Sequence, residues 1–487
     1  MGFGKVWLVG AGPGDAGLMT LRGREVLEDA EAVVYDRLVG CGVMALIPDC
    51  AEKIDVGKSG GSHPIPQKEI EAILIKLASQ GKRVVRLKGG DPFLFGRGGE
   101  EMQALKDAGI PFEVVPGVTS ATSVPAYAGI PVTHRGLSSV LRVITAHSKN
   151  GGLPKLDFYE LARAVKNDTL VFLMGVANAG ELCRELINAG IDISTPAAVI
   201  ERGTTARQRC VTGSIQNFMD LVRDAKITPP AILVIGPVAE MAEKFDWRSA
   251  LPLSGVSIAV TRPKERAGRL TRMLRDAGAE VISCPCIATE VLTEPLPSLS
   301  GFDWTVFTSV TGVDALFSKL NSEGRDIREL GNAKISAIGP ATADALSSHG
   351  LRVDFMPSVY DGKHLALGLS ERADGAVLLL RALEGSPDLT GVLAERGVNF
   401  REAALYKTGY LKIEIPDDLD MAVFTSASTV RAFSSCAAES CFVSAKAVCI
   451  GEQTALAAKD AGFASIFTAS SATLPALVDA AISAARI

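Results

Sequence analysis

The chain has 487 residues, too many for one compact core, so two to four domains are expected. Its composition, 47% hydrophobic and 22% charged, is that of an ordinary globular protein, and a net charge of −5 without a dominant basic tract excludes a nucleic-acid binder. No apolar run reaches membrane-spanning length, and the start MGFGKVWLVG has no charged region followed by a long apolar core, so a cytoplasmic protein without membrane contact is expected.

The first strand-like run, KVWLV, leads into GPGDAG at residues 12–17 and then the helix-like LMTLRGREVLEDA. Gly12, Gly14 and Gly17 formally match the dinucleotide fingerprint, and the next strand, AVVYD, ends on Asp36, 22 residues after Gly14, where a ribose-binding acid would stand. One reading of this half is therefore an NAD-dependent oxidoreductase. Two residues oppose it: Pro13 removes an amide from the loop, and Asp15 places a carboxylate where pyrophosphate would lie. A second strand and Gly-Gly-Asp turn follow in RVVRLKGGDPFLFGRGGEE, residues 83–101, and then TLVFLMG and AILVIG. These strands are short, β-branched, apolar on both faces and bounded by Gly or Pro, which predicts an α/β chain with largely parallel sheets.

A composition shift at EKFDWRSALPLSG, residues 243–255, separates a finished strand from a new one, VSIAV, and marks a linker at 247–254. The second half carries an internal repeat. FTSVTGVDALF at Phe307 recurs as FTSASTVRAFS at Phe424, and AIGPATADALSSHGL around Gly339 recurs as CIGEQTALAAKDAGF around Gly451. Ser309, Ser426, Thr342 and Thr454 each stand where a strand gives way to a helix. Such residues cap helices, and the same amides and hydroxyls can hold anions; both readings stand. The nine Cys are scattered and the five His form no HxxxH pattern, so free thiols and no metal site are expected.

VGAGPGD, VVYDRLV, VGKSG, RLKGGDPFLFGRGGEE and GIPVTHR occur in one order over about residues 4–240. With them this half resembles the tetrapyrrole methyltransferases, specifically the uroporphyrinogen-III C-methyltransferases. The resemblance implies a two-lobed fold over 1–246, with lobes of about 1–116 and 117–246, holding S-adenosylmethionine between them. It implies cofactor contacts from Pro13, Gly89, Gly90, Asp91, Leu94, Thr119, Ser120, Met174 and Gly203, and a homodimer formed through this half. The family usually has Thr-Ala at Thr119-Ser120 and often Ile at Leu94. The resemblance points to Asp36 as proton acceptor and Lys58 as donor; the plainer alternatives are an Asp36–Arg37 pair and a solvated loop lysine. Arg37, Arg97, Arg135 and Arg142 are candidate partners for substrate carboxylates.

Residues 255–487 resemble uroporphyrinogen-III synthase in VTRPKERAGRLTRMLRDAGAEVISCPCI, the paired FTS turns, AIGPAT, LLLRALEG, AALYKT and CIGEQT. That implies two lobes, one from about 255–290 and 413–487 and the other from about 291–412, and no cofactor. Tyr406 stands where the family has a tyrosine suspected of assisting loss of the substrate hydroxyl. Thr308, Ser309, Thr342, Ser426 and Thr454 are cleft candidates, with Arg262 and Arg381 as cations. The expected whole is a bifunctional enzyme that cyclises hydroxymethylbilane and methylates the product twice to precorrin-2, on the branch to siroheme and cobalamin. A methyltransferase joined to an inactive lobe pair is the other reading. Because the chain begins directly at the methyltransferase, neither a dehydrogenase nor a ferrochelatase activity is expected.

Overall fold

A computed structural model of the chain describes residues 4–57, 65–148, 151–413, 415–416 and 418–487. Five strands of the first sheet come first: β1 (Lys5–Gly10), β2 (Ala32–Tyr35), β3 (Glu52–Asp55), β4 (Arg83–Lys88) and β5 (Phe112–Val115). They lie in the order β3-β2-β4-β1-β5, and every pairing is parallel. Alternate residues face opposite sides. Val9, Val33, Val85 and Leu87 enter one apolar cluster, while Leu8, Val34 and Val84 enter another with Leu74 and Leu105 from the covering helices. Burial on both faces explains the unbroken apolar runs in the sequence.

The second sheet is built from β6 (Val140–Thr145), β7 (Asp168–Leu173), β8 (Pro196–Glu201), β9 (Arg209–Ser214) and β10 (Ala231–Ile235). Its order is β6-β7-β10-β8-β9, and only β6 and β7 run parallel. This sheet departs from the expected parallel pattern: a short turn, residues 202–208, joins β8 to β9 and leaves no room for a crossover helix, and β10 runs antiparallel to both its neighbours. Residues 247–254 contain neither helix nor strand.

The chain then enters a third sheet with β11 (Ser257–Val260) and β12 (Glu280–Ser283). It leaves for a fourth, formed by β13 (Ile287–Val291), β14 (Trp304–Phe307), β15 (Lys334–Ala337), β16 (Val377–Ala382) and β17 (Phe400–Tyr410). It returns to the third with β18 (Met421–Phe424), β19 (Lys446–Cys449) and β20 (Ile466–Thr468). The orders are β12-β11-β18-β19-β20 and β13-β17-β16-β14-β15. Residues Pro285–Ile413 form one compact unit; Met1–Cys284 together with Glu414–Ile487 form the other. The smaller unit begins before residue 291 because β13 pairs antiparallel with β17, from Ile287 opposite Tyr410 to Val291 opposite Tyr406. Among the described residues no helix is long and apolar enough to cross a membrane.

Candidate active sites

Three turns meet at the carboxyl ends of β1, β4 and β5. Gly12 and Gly90 exchange backbone hydrogen bonds of 3.2 and 2.7 Å. Gly10 and Gly117 touch so closely that a Cβ on Gly10 would lie 2.5 Å from the Gly117 Cα, which only glycine avoids. The Asp91 carboxylate knots the turns together: Oδ1 accepts from the amides of Phe93 (2.9 Å) and Leu94 (3.2 Å), and Oδ2 from that of Gly117 (3.0 Å). Gly90 has φ +68°, and a Cβ built on it would meet nothing within 4 Å, so the turn opens onto free space.

The second lobe contributes from two places. Gly203 is pressed on Val124, and the next residue, Thr204, accepts at Oγ1 from the Asp15 amide (3.2 Å). Met174 follows β7 with φ 57° and lies half exposed, as do Phe93 and Leu38, the latter packed on Gly89. Leu94 packs against the apolar cluster of Ala121, Val124 and Leu173. Thr119 caps the helix Ser120–Tyr127 by accepting from the Ala121 amide. Pro13, Gly89, Gly90, Asp91, Thr119, Ser120 and Gly203 thus lie on turns that meet or adjoin. The first helix of the chain begins only at Leu21, with Thr20 as its cap, and a 3₁₀ turn at Ala16–Leu18 intervenes. The helix-like run therefore starts later than its sequence suggests. A dinucleotide phosphate would find no helix N-terminus at GPGDAG.

Asp36 follows β2, beside β4. Its partner is Arg86 of β4, not the adjacent Arg37: Oδ1 accepts from Nη2 at 2.6 Å. Arg86 and Lys88 project from the same face of β4, two residues apart, and both are buried. Between them lies the fully buried Glu101 of the helix Gly98–Asp107, which accepts from Arg86 Nε (3.0 Å) and from Lys88 Nζ (3.0 and 3.1 Å). Burial, then the charge of Arg86, pulls Lys88 below the usual lysine range, with Glu101 opposing. Sequence reasoning missed this network; its signal was two cations spaced by two inside an apolar strand. Lys58 falls outside the described residues. Arg97 forks onto Glu100, and Arg142 pairs with Asp168 and Glu160, while Arg135 is exposed.

In the second half the repeat is conformational as well as sequential. Ser309 and Ser426 cap their helices at φ/ψ −165°/157° and −163°/157°, and Gly339 and Gly451 at −169°/175° and −174°/175°. Ser309 Oγ accepts from the Gly312 amide (2.9 Å) and Ser426 Oγ from that of Thr429 (3.3 Å), so both serines are caps. Ser309 Oγ also lies 2.9 Å from Tyr406 Oη, which brings two of the candidates together within the smaller unit. Thr308 precedes this cap and is partly exposed, whereas the side chains of Thr342 and Thr454 are buried. The Arg381 guanidinium is also buried, 3.2 Å from Glu402 Oε2 without hydrogen-bond alignment, and Nη2 donates to the Ser386 carbonyl. Arg262 follows β11. Burial, and Arg266 one turn on, hold its pKa below the usual arginine value.

Residues 5–218 match the family Tetrapyrrole (Corrin/Porphyrin) Methylases, and residues 268–479 match Uroporphyrinogen-III synthase HemD. The porphyrin biosynthesis protein HemD of Ruminiclostridium josui is 44% identical over 475 residues, 94% of each chain. The uroporphyrinogen-III C-methyltransferase of Bacillus subtilis (strain 168) is 43% identical over 355 residues, 72% of each. Siroheme synthase 2 of Yersinia enterocolitica (serotype O:8 / biotype 1B, strain NCTC 13174 / 8081) is 49% identical over 247 residues, 51% of each. With one relative matched almost end to end and each half assigned to its own family, the chain is a two-part enzyme that belongs to the fusions of a tetrapyrrole methyltransferase with a uroporphyrinogen-III synthase.

Proposed function

We propose that the second half closes hydroxymethylbilane to uroporphyrinogen III with inversion of its last ring. The first half then methylates that product at C2 and C7, using two S-adenosylmethionine, to give precorrin-2 for siroheme or cobalamin. The observation that carries the reading is the meeting of three glycine turns at the strand ends, tied by Asp91, with Asp36 at the end of the adjacent β2. Ligands of parallel α/β sheets gather at such ends.

The residues fit a sulfonium cofactor better than a phosphate. The space beside Gly90 is open, Leu38, Phe93 and Met174 supply apolar surface, and Pro13 and Asp15 offend no anion. S-adenosylmethionine, when bound there, supplies an electrophilic methyl group. Pro13, Gly89, Gly90 and Gly203 shape the cradle, with Leu94, Thr119, Ser120 and Met174 at its edges. Asp91 spends its oxygens on amides and so acts as organiser of the turns. Methylation leaves the ring cationic, and the ring must then lose a proton. Arg86 fixes Asp36 through Oδ1, and Oδ2 is the oxygen left to accept it.

Ring closure expels water and asks chiefly for shape and for placed hydrogen bonds. The Tyr406 phenol, oriented by Ser309, donates to the departing hydroxyl. Arg262, with Ser426 in the turn that follows the neighbouring strand β18, binds substrate carboxylates. Hydroxymethylbilane and S-adenosylmethionine supplied to the purified chain should yield a doubly methylated product, identified by mass and absorbance. An unmethylated product, or a ring closed without inversion, would refute the corresponding half.

A further inference from the structure

Asp15, the acidic residue of the first glycine turn, is held by a closed circuit of hydrogen bonds. Its amide donates to Thr204 Oγ1 (3.2 Å), and the Thr204 amide donates to Gln208 Oε1 (2.7 Å). Gln208 Nε2 donates to the Tyr127 carbonyl (2.9 Å), and the Tyr127 hydroxyl returns to Asp15 Oδ2 (2.9 Å). The other Asp15 oxygen accepts from the Gly17 amide (2.7 Å), which sets the shape of the turn itself.

Two other parts of the chain hold this circuit from behind. The linker covers Tyr127: the Trp247 ring meets it edge-on at 5.5 Å, the Arg248 guanidinium lies over it at 5.1 Å, and Trp247 Nε1 donates to the Ala126 carbonyl (3.0 Å). The turn that carries Thr204 and Gln208 is fastened to the synthase lobe. The Ala206 amide donates to Glu280 Oε2 of β12 (2.7 Å), and Arg207 forks onto Asp420 at 2.9 and 3.0 Å. Residues 204 to 208 therefore face the glycine turn on one side and the synthase lobe on the other.

We propose that Tyr127 is a positioning residue for the first glycine turn, and that the linker and the β12 edge of the synthase lobe brace it, so that cofactor affinity in the methyltransferase half depends on the half joined to it. This rests on the reading that residues 12–15 border the S-adenosylmethionine site. None of Tyr127, Trp247, Arg207 or Glu280 needs to touch the cofactor. Each limits how far the turn can move, and an ordered turn binds without first giving up conformational freedom.

The test uses the full-length chain. S-adenosylhomocysteine affinity is measured by calorimetry, and KM for S-adenosylmethionine and kcat by methylation of supplied uroporphyrinogen III. Tyr127→Phe keeps the ring and removes only the bond to Asp15; Trp247→Ala and Arg207→Gln act farther out. A hydrogen bond to a charged group is strong enough that Tyr127→Phe should weaken binding about tenfold, and the outer variants about threefold. In each, KM should rise while kcat at saturation stays near wild type. Trp247→Phe, which restores an aromatic edge on Tyr127, should recover part of the loss, which a general loss of folding would not allow. The rate of ring closure in the same samples reports that the chain is folded. Unchanged affinity in both Tyr127→Phe and Trp247→Ala, with wild type binding normally, would overturn the brace. Failure of wild type to bind S-adenosylhomocysteine at all would instead overturn the reading of the turn as the cofactor site, and the brace with it.

Discussion

Glu101→Gln should unbalance a cluster of deeply buried charges in the methyltransferase half. Glu101 is 0% exposed and sits against two cations whose side chains are 2% and 4% exposed, at 3.0 Å each. Arg86 would keep Asp36 and the carbonyls of Val34 and Leu87, but Lys88 would lose the carboxylate that faces it. Removing one member of a buried pair typically costs about 3–5 kcal/mol, because the remaining charge is left without compensation. That is a large share of a typical stability of about 5–15 kcal/mol. Unfolding of a chain with several lobes need not be two-state. The measurement is therefore hydrogen exchange of the β4 amides, which reports local opening. Exchange from β4 should quicken by about two to three orders of magnitude, since about 1.4 kcal/mol is tenfold. Adding Lys88→Met to Glu101→Gln restores neutrality and should recover much of the loss, a coupling of at least about 1 kcal/mol between residues in contact. Protection unchanged in Glu101→Gln, or a double variant no better than the sum of the singles, would refute the claim that these charges compensate one another.

Asp36→Asn should lower methylation of supplied uroporphyrinogen III by about 10²–10⁴ with cofactor binding nearly intact, while ring closure is unaffected; both rates are read from the same preparation. Tyr406→Phe should do the reverse, slowing closure of hydroxymethylbilane only in part and sparing methylation, as followed by product chromatography. Glu113, held by Lys5 and Arg22 at a pKa of about 2, gives stability that is fully present above the ordinary carboxylate value and is lost as pH falls toward 2. Glu113→Gln should therefore cost about 1 kcal/mol at pH 7, after allowance for solvent screening, and nothing once the carboxylate is protonated; melts at the two pH values measure the difference.

The glycine turns and the repeat were legible in the sequence because local geometry dictates them. Close approach of Gly10 to Gly117 tolerates no side chain, and a serine that caps a helix must stand at the strand end, as Ser309 and Ser426 do. The partners of charged groups were not legible. Asp36 stands beside Arg37 in the chain but bonds Arg86, 50 residues on, because the parallel pairing of β2 with β4 brings those two together. Tyr127 reads as an aromatic near a helix end, and nothing local announces a bond to Asp15, 112 residues away. Thr342 and Thr454 were legible in position but not in exposure. Both sit in the first turn of their helices with their side chains buried.

The interrupted third sheet has a consequence for how the chain is made. β11 pairs with β18, and Ser257 bonds Asp420 across 163 residues. At a synthesis rate of about 5–20 residues per second, β11 emerges roughly ten to thirty seconds before its neighbour exists. During that interval the edge β18 will later cover is an open template for any extended chain nearby. The inserted unit shortens the search that follows. β13 and β17 pair from Ile287 opposite Tyr410, and the Leu411 amide bonds the Cys286 carbonyl, so the folded insertion clasps its own two ends. Once it has folded, its entry from β12 and its exit toward β18 are held together at Cys286 and Leu411, and the long loop behaves as a short one. The inserted unit is thus a folding clamp for the third sheet, and a change that loosens the β13–β17 pairing would act first on newborn chains, before any finished enzyme is affected.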